Sequence, residues 1–196
     1  MRVMERALGR LLGCFLLLCS LAAWAEERVA VCFNYGCSSQ VEVVYSDKRL
    51  RTVGRVMTAA RSAEEERDVL SVTIGRLLKW AGEQSPISAD KGGNIGDDDV
   101  SGKMDCIDHS TTTTRLLHMM EEHNWLRYHH TLEPVARRHF VFFEHHSALI
   151  EESSPATEGG EAKRFVVDSW FFDNGQPAAV MPLVSWLAGE GPDVGN

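Results

Sequence analysis

Hydrophobic and polar positions recur with readable periods over most of the chain. Two β-type runs, 29–33 and 41–45, flank the turn-forming Asn34-Tyr35-Gly36 and predict a hairpin over 28–45. In 46–60, Leu50, Val53, Val56, Met57 and Ala60 fall at helical spacing. Ser62-Ala63-Glu64-Glu65 is a capping-box pattern that opens a second, longer helix. Leu70, Ile74, Leu77, Leu78 and Ala81 form its buried stripe, and the acidic run 64–66 complements the dipole of its first turn. Residues 83–104 are rich in Gly, Asp and Ser, lack periodicity and read as a long loop. Asp105 then reads as the N-cap of a helix from 106 to about 123, with Ile107, Leu116, Leu117 and Met120 available to the core. The four threonines 111–114 are poor helix formers, because β-branching restricts their rotamers, so packing must offset them. Beyond this helix come a strand over 140–150, a loop over 152–162 and a second strand over 164–172. Asp173-Asn174-Gly175 is a turn, followed by a short strand near 178–181 and a brief helix near 183–187. Helices come mainly first and antiparallel strands after, an α+β order without internal repeats.

The N-terminus changes the picture of where the chain works. Arg2, Arg6 and Arg10 precede an almost wholly apolar run, 11–21, and Ala23-Trp24-Ala25 supplies small residues for signal peptidase. The apolar run is shorter than the roughly 20 residues a spanning helix needs. The expectation is a cleavable signal over 1–25, a periplasmic or secreted location, and a single domain over 26–196 with no later membrane span. Removing Glu5 and the three arginines takes 20 basic and 28 acidic residues to 17 and 27, a net charge of −10. An acidic chain with no basic patch argues against a nucleic-acid partner.

Three cysteines remain after the signal. Cys32 and Cys37 flank the hairpin turn and are expected to bridge in an oxidising compartment. Cys106 is left over, at the first turn of a helix, where free amides and the dipole favour thiolate. His145 and His146 stand on the first strand after that helix, and a hairpin brings Asp168 on the next strand alongside. A thiol, an imidazole and a carboxylate that orients it make the cysteine version of a nucleophilic triad, with the Cys106 amide as one oxyanion donor. Adjacent strand residues face opposite ways, so only one of the two histidines can meet the cysteine; the sequence leaves both open.

Met104-Asp105-Cys106-Ile107-Asp108, then 145–150 (His-His-Ser-Ala-Leu-Ile) and 165–170 (Phe-Val-Val-Asp-Ser-Trp), resemble the Cys, His and Asp blocks of bacterial transglutaminase-like cysteine proteinases. The resemblance is strongest over 104–172. The N-terminal hairpin and the tail are similar to an uncharacterised, secreted proteobacterial branch. It implies a papain-like, transglutaminase-like fold with helices packed on an antiparallel sheet. It also implies Cys106 as nucleophile, His145 or His146 as base, Asp168 as its orienting group, and a protein or peptide substrate, with no cofactor. The function expected from it is a thiol hydrolase or acyltransferase acting on amide bonds. A non-catalytic periplasmic binding or scaffold domain on the same fold is the alternative.

Other polar clusters read more plainly. Asp90, Asn94 and 97–99 resemble a calcium loop only in composition, since Ile95 stands where an EF-hand needs glycine; a solvated acidic loop is expected. His118 and His123 are five apart and do not share a helix face, so no metal site is expected there. His129-His130 reads as a surface loop. Trp80, Trp125, Trp170 and Trp186 read as core, with Trp170 also placed to line a substrate groove.

Overall fold

The computed structural model describes residues 26–93, 96, 99–139, 143–153 and 162–192. The expected signal over 1–25, the start of the strand expected from 140, most of the loop over 152–162, and Asn94, Asp97 and Asp98 lie outside the described residues. Strands β1 (Glu27–Phe33) and β2 (Ser39–Tyr45) form an antiparallel hairpin in register from Glu27↔Tyr45 to Phe33↔Ser39. A disulfide joins Cys32 to Cys37 across its tip. Helix α1 (Asp47–Met57) buries Leu50, Val53 and Met57. Helix α2 (Ala63–Gly82) starts at Ser62, whose side chain accepts the Glu65 amide; the Glu65 carboxylate reaches back to the amide of Arg61. A 3₁₀ turn (Pro86–Ala89) interrupts the stretch expected to be loop.

Helix α3 (Cys106–Glu122) has a full capping box: Asp105 accepts the Asp108 amide, and the Asp108 carboxylate accepts the Asp105 amide. Ile107 departs from expectation. It is 38 % exposed, on the outward side of a first turn whose Asp108, His109 and Ser110 are buried. Two of the four threonines have partners: Thr112 Oγ1 accepts the Cys32 amide, and Thr113 Oγ1 lies 3.1 Å from Ser169 Oγ, whereas Thr114 Oγ1 is buried with no hydrogen-bond partner among the described residues.

Four antiparallel strands follow in simple order: β3 (His129–His139), β4 (Phe143–Glu152), β5 (Arg164–Asp168) and β6 (Ala179–Pro182). Helix α4 (Leu183–Leu187) closes the described fold. Two expectations fail here. His129 and His130 open an edge strand rather than lying in a surface loop, and β5 stops at Asp168, so 169–172 leave the sheet as a turn. The molecule is α+β with antiparallel sheets. Its principal core gathers Val31 and Val43 of the hairpin, Leu50 of α1, Leu77 of α2, Leu116 of α3, and Ile150 and Val167 of the larger sheet. The opposite sheet face carries a smaller cluster of Leu149, Val166 and Trp186. No helix among the described residues is long and apolar enough to cross a membrane.

Candidate active site

Cys106 is the first residue of α3, held by the capping box one residue before it. The hairpin tip tightens that end. Amides of Tyr35 (2.8 Å) and Cys37 (2.6 Å) donate to the Asp108 carboxylate, and the amide of Gly36 donates to Asp105 Oδ2 at 2.9 Å. The disulfide therefore stands directly behind the helix start that carries the free thiol. Burial and the neighbouring Asp105 charge raise the Asp108 carboxyl from 3.8 to about 6.

The sulfur of Cys106 is half-buried and lies against the backbone on either side of His145. Its Sγ is 3.7 Å from the Glu144 carbonyl, and the His146 amide hydrogen-bonds it. This edge of β4 is open because the β4–β5 register ends at Ala148↔Val167. Burial pushes the thiol up, the His146 amide pulls it down, and the Asp105 and Asp168 carboxylates push it up again. The thiol is therefore raised, the opposite direction from the one the helix start alone favours. Desolvation outweighs the helix end, since a half-buried sulfur beside carboxylates loses water that would solvate its charge.

Strand alternation separates the two histidines. His145 is buried and its Nε2 lies 2.7 Å from Asp168 Oδ2; His146 turns the other way and pairs with Glu144 Oε1 at 3.0 Å. Asp168 is 1 % exposed. As an ionised acceptor it requires the proton on Nε2, which leaves the lone pair on Nδ1. That Nδ1 is buried and has no hydrogen-bond partner among the described residues. A buried, unpaired ring nitrogen is a cost that a merely structural histidine avoids.

Asp168 has two further donors that sequence reasoning missed. Trp186 Nε1 donates to Oδ2 at 3.0 Å, and the Trp170 amide to Oδ1 at 3.2 Å. Trp186 is in the core as expected, but its indole N–H faces the carboxylate. No local motif announces a donor 18 residues downstream. Trp170 is half-buried, with its ring centroid 4.8 Å from that of His145; Phe171 and Trp186 lie 5.6 Å from it. The imidazole is thereby walled by aromatic rings.

A second layer lies beneath. His109, one turn after Cys106, has Nε2 2.9 Å from Asp90 Oδ2 and Nδ1 2.8 Å from Ser169 Oγ. Asp90 also accepts the Met104 amide at 2.9 Å. Asp90 is accordingly buried and paired, not part of a solvated acidic loop. His129 is likewise buried rather than on a surface loop: its Nδ1 meets Glu66 Oε1 at 2.8 Å, and Glu66 also accepts the amides of Arg127 and Tyr128. His123 stacks on Trp125, and His118 faces Glu121. No protein-family model, curated protein or solved structure matches the chain.

Proposed function

We propose that this chain is an exported thiol hydrolase or acyltransferase acting on amide bonds of protein or peptide substrates, built on a transglutaminase-like, papain-like scaffold. The observation that carries the reading is the placement of the Cys106 sulfur against the backbone flanking His145. The Nε2 of that histidine is bound to Asp168, while its Nδ1 is buried and unpartnered. Cys106 is the nucleophile, His145 the base and Asp168 the carboxylate that fixes the imidazole; His146 projects to the other face of β4 and pairs with Glu144. The disulfide and the signal pattern support export.

In the reaction, Sγ attacks the carbonyl carbon of the scissile amide while its proton passes to Nδ1 of His145. Burial raises the thiol, which suits a proton transfer that accompanies attack rather than preceding it. Negative charge gathers on the carbonyl oxygen. The Cys106 amide is one donor for it, being in the first turn, where helix amides have no intrahelical acceptor. Collapse breaks the C–N bond, the imidazolium gives its proton to the leaving amine, and a thioester remains. Water, or an acceptor amine, then gives a proton to Nδ1 as it attacks the thioester; the C–S bond breaks, the carboxylic acid or the new amide leaves, and the sulfur takes the proton back from the imidazolium. Trp170, packed against His145, and the exposed Ile107, next to Cys106 in the chain, suit an apolar group beside the scissile bond.

The raised thiol favours a second reading, a binding domain that retains the fold without catalysis. Alkylation by iodoacetamide separates the two. At neutral pH, His145→Ala is expected to slow labelling of Cys106 at least tenfold, and His146→Ala to change it less than about twofold, a loss typical of general-base removal. Equal rates in wild type and both variants, with folding verified by circular dichroism, would leave the binding domain as the better account.

A further inference from the structure

The short C-terminal helix α4 is remote in sequence from the thiol and the histidine, yet its one fully buried side chain reaches their carboxylate. Trp186 Nε1 and His145 Nε2 both donate to the same oxygen, Oδ2 of Asp168, at 3.0 and 2.7 Å. The indole also lies against the imidazole, with centroids 5.6 Å apart. The Arg137 guanidinium sits 4.5 Å from the ring centroid and donates to the backbone carbonyls of Trp186 and Glu190. Arg137 is the direct cross-strand partner of His145 in the β3–β4 register, so the two project from the same sheet face. Asp168 projects to that face as well, and its charge acts on the arginine. Arginine, indole, imidazole and carboxylate thus gather on one face of the sheet.

We propose that Trp186 is a positioning residue of the site, clamped by Arg137, which fixes the Asp168 carboxylate so that one lone pair of Oδ2 is always presented to His145. The proposal rests on the reading of His145 as the base. The physics is that of a shared acceptor. A carboxylate bound only by the imidazole can rotate about its Cβ–Cγ bond, and the imidazole follows it. The indole donor and the Trp170 amide hold opposite oxygens and prevent that rotation. The bulk of the indole also keeps water from competing for Oδ2, where hydrogen bonds to a charge are stronger for being dry. Five helical residues are too few to be stable alone. α4 is held by Trp186 and by the arginine bonds at its end.

A double-mutant cycle tests this, read as the rate of Cys106 alkylation against pH. Trp186→Phe keeps an aromatic ring but removes the donor. It is expected to slow alkylation about tenfold at neutral pH, the size of a lost hydrogen bond to a charged group. At alkaline pH, where thiolate forms without a base, it should converge with wild type. In an Asp168→Asn background the same substitution should cost less than about twofold, because the residue acts through that carboxylate. An equal loss in both backgrounds, or a loss uniform across pH, makes Trp186 a packing residue only and overturns the inference; so does no loss in wild type. If Trp186→Phe does not fold, Arg137→Lys replaces it in the cycle, with an expected neutral-pH loss of about threefold by the same coupling. The same readings of that variant decide for or against the clamp. His145→Ala run alongside keeps the two claims apart. If it is as fast as wild type, the base reading fails, whereas a slow His145→Ala with a fast Trp186→Phe defeats only the positioning role.

Discussion

Asp108 shows how one side chain ties stability to the site. It is fully buried, accepts three backbone amides and faces the charge of Asp105, and its carboxyl is raised from 3.8 to about 6. The folded protein therefore holds this proton more tightly than the unfolded chain does. Its contribution favours folding fully below about pH 4 and is lost as pH rises through about 6, the sign that linkage requires of a raised acid. Asp108→Asn should flatten the pH dependence of stability over that window. It should also lower stability throughout by about 1–3 kcal/mol, since an NH₂ then faces backbone N–H donors. Urea midpoints at intervals from pH 4 to 7 check both; an unchanged slope assigns the dependence to another group. At this scale the sequence was partly legible. Cys106 and Asp168 stood out because a helix start and a Val-Val-Asp strand end are local patterns. Which histidine meets Asp168 was not, because β4 is covered on both faces and no polar alternation marks its parity: Ser147, Ala148, Leu149 and Ile150 are all buried.

Elements carry the next constraint, and the hairpin tip is the clearest. Asn34, Tyr35, Gly36 and Cys37 all have φ between 56° and 64°, a left-handed run that costs roughly 1–2 kcal/mol for each residue bearing a Cβ. The Cys32–Cys37 bridge and the carboxylates of Asp105 and Asp108 offset that cost, the latter by accepting the three amides the run turns toward them. Replacing both cysteines with serine should lower stability by about 2 kcal/mol, the chain-entropy value for so short a loop. It should also slow Cys106 alkylation severalfold, because a relaxed tip no longer holds the start of α3. Urea denaturation and the labelling rate measure the two effects, and an unaltered rate would show that the tip stabilises without positioning. The bridge was legible from spacing and compartment; its contact with α3 was not, being made by backbone amides some 70 residues away in sequence. Strand β3 was missed for a different reason. Pro134 and the charges of Glu133, Arg137 and Arg138 break its alternation. Such residues are tolerated because β3 is an edge strand with a register shift between Leu132 and Val135.

At the scale of the whole molecule, the stretch between α2 and α3 braces the site rather than skirting it. Asp90 pairs with His109, the Gly93 amide donates to the Trp170 carbonyl at 2.8 Å, and the Gly92 amide donates to Asp173 Oδ1. These bonds fasten 90–93 to 169–173, the turn that leaves β5 beside His145. Sequence composition read this stretch as solvated, because a Gly- and Asp-rich segment looks the same whether its carboxylates face water or a distant histidine. Two adjacent glycines separate close approach from backbone freedom. A Cβ on Gly92 would lie 2.4 Å from the Phe171 carbonyl oxygen and from Phe172 Cα, so the turn itself must move. A Cβ on Gly93 meets nothing within 4 Å, and only its φ of +64° resists substitution. Gly93→Ala should therefore cost about 1–2 kcal/mol, the left-handed penalty, with Cys106 alkylation within twofold of wild type. Gly92→Ala should cost as much or more, about 1–3 kcal/mol for forced overpacking, and should slow alkylation at neutral pH severalfold by displacing Trp170 and its amide from Asp168. Thermal midpoints give the first comparison and iodoacetamide rates the second. If the two variants lose stability alike and neither changes the rate, the loop and the site are mechanically independent, and the aromatic wall around His145 must be held by α4 and the sheet alone.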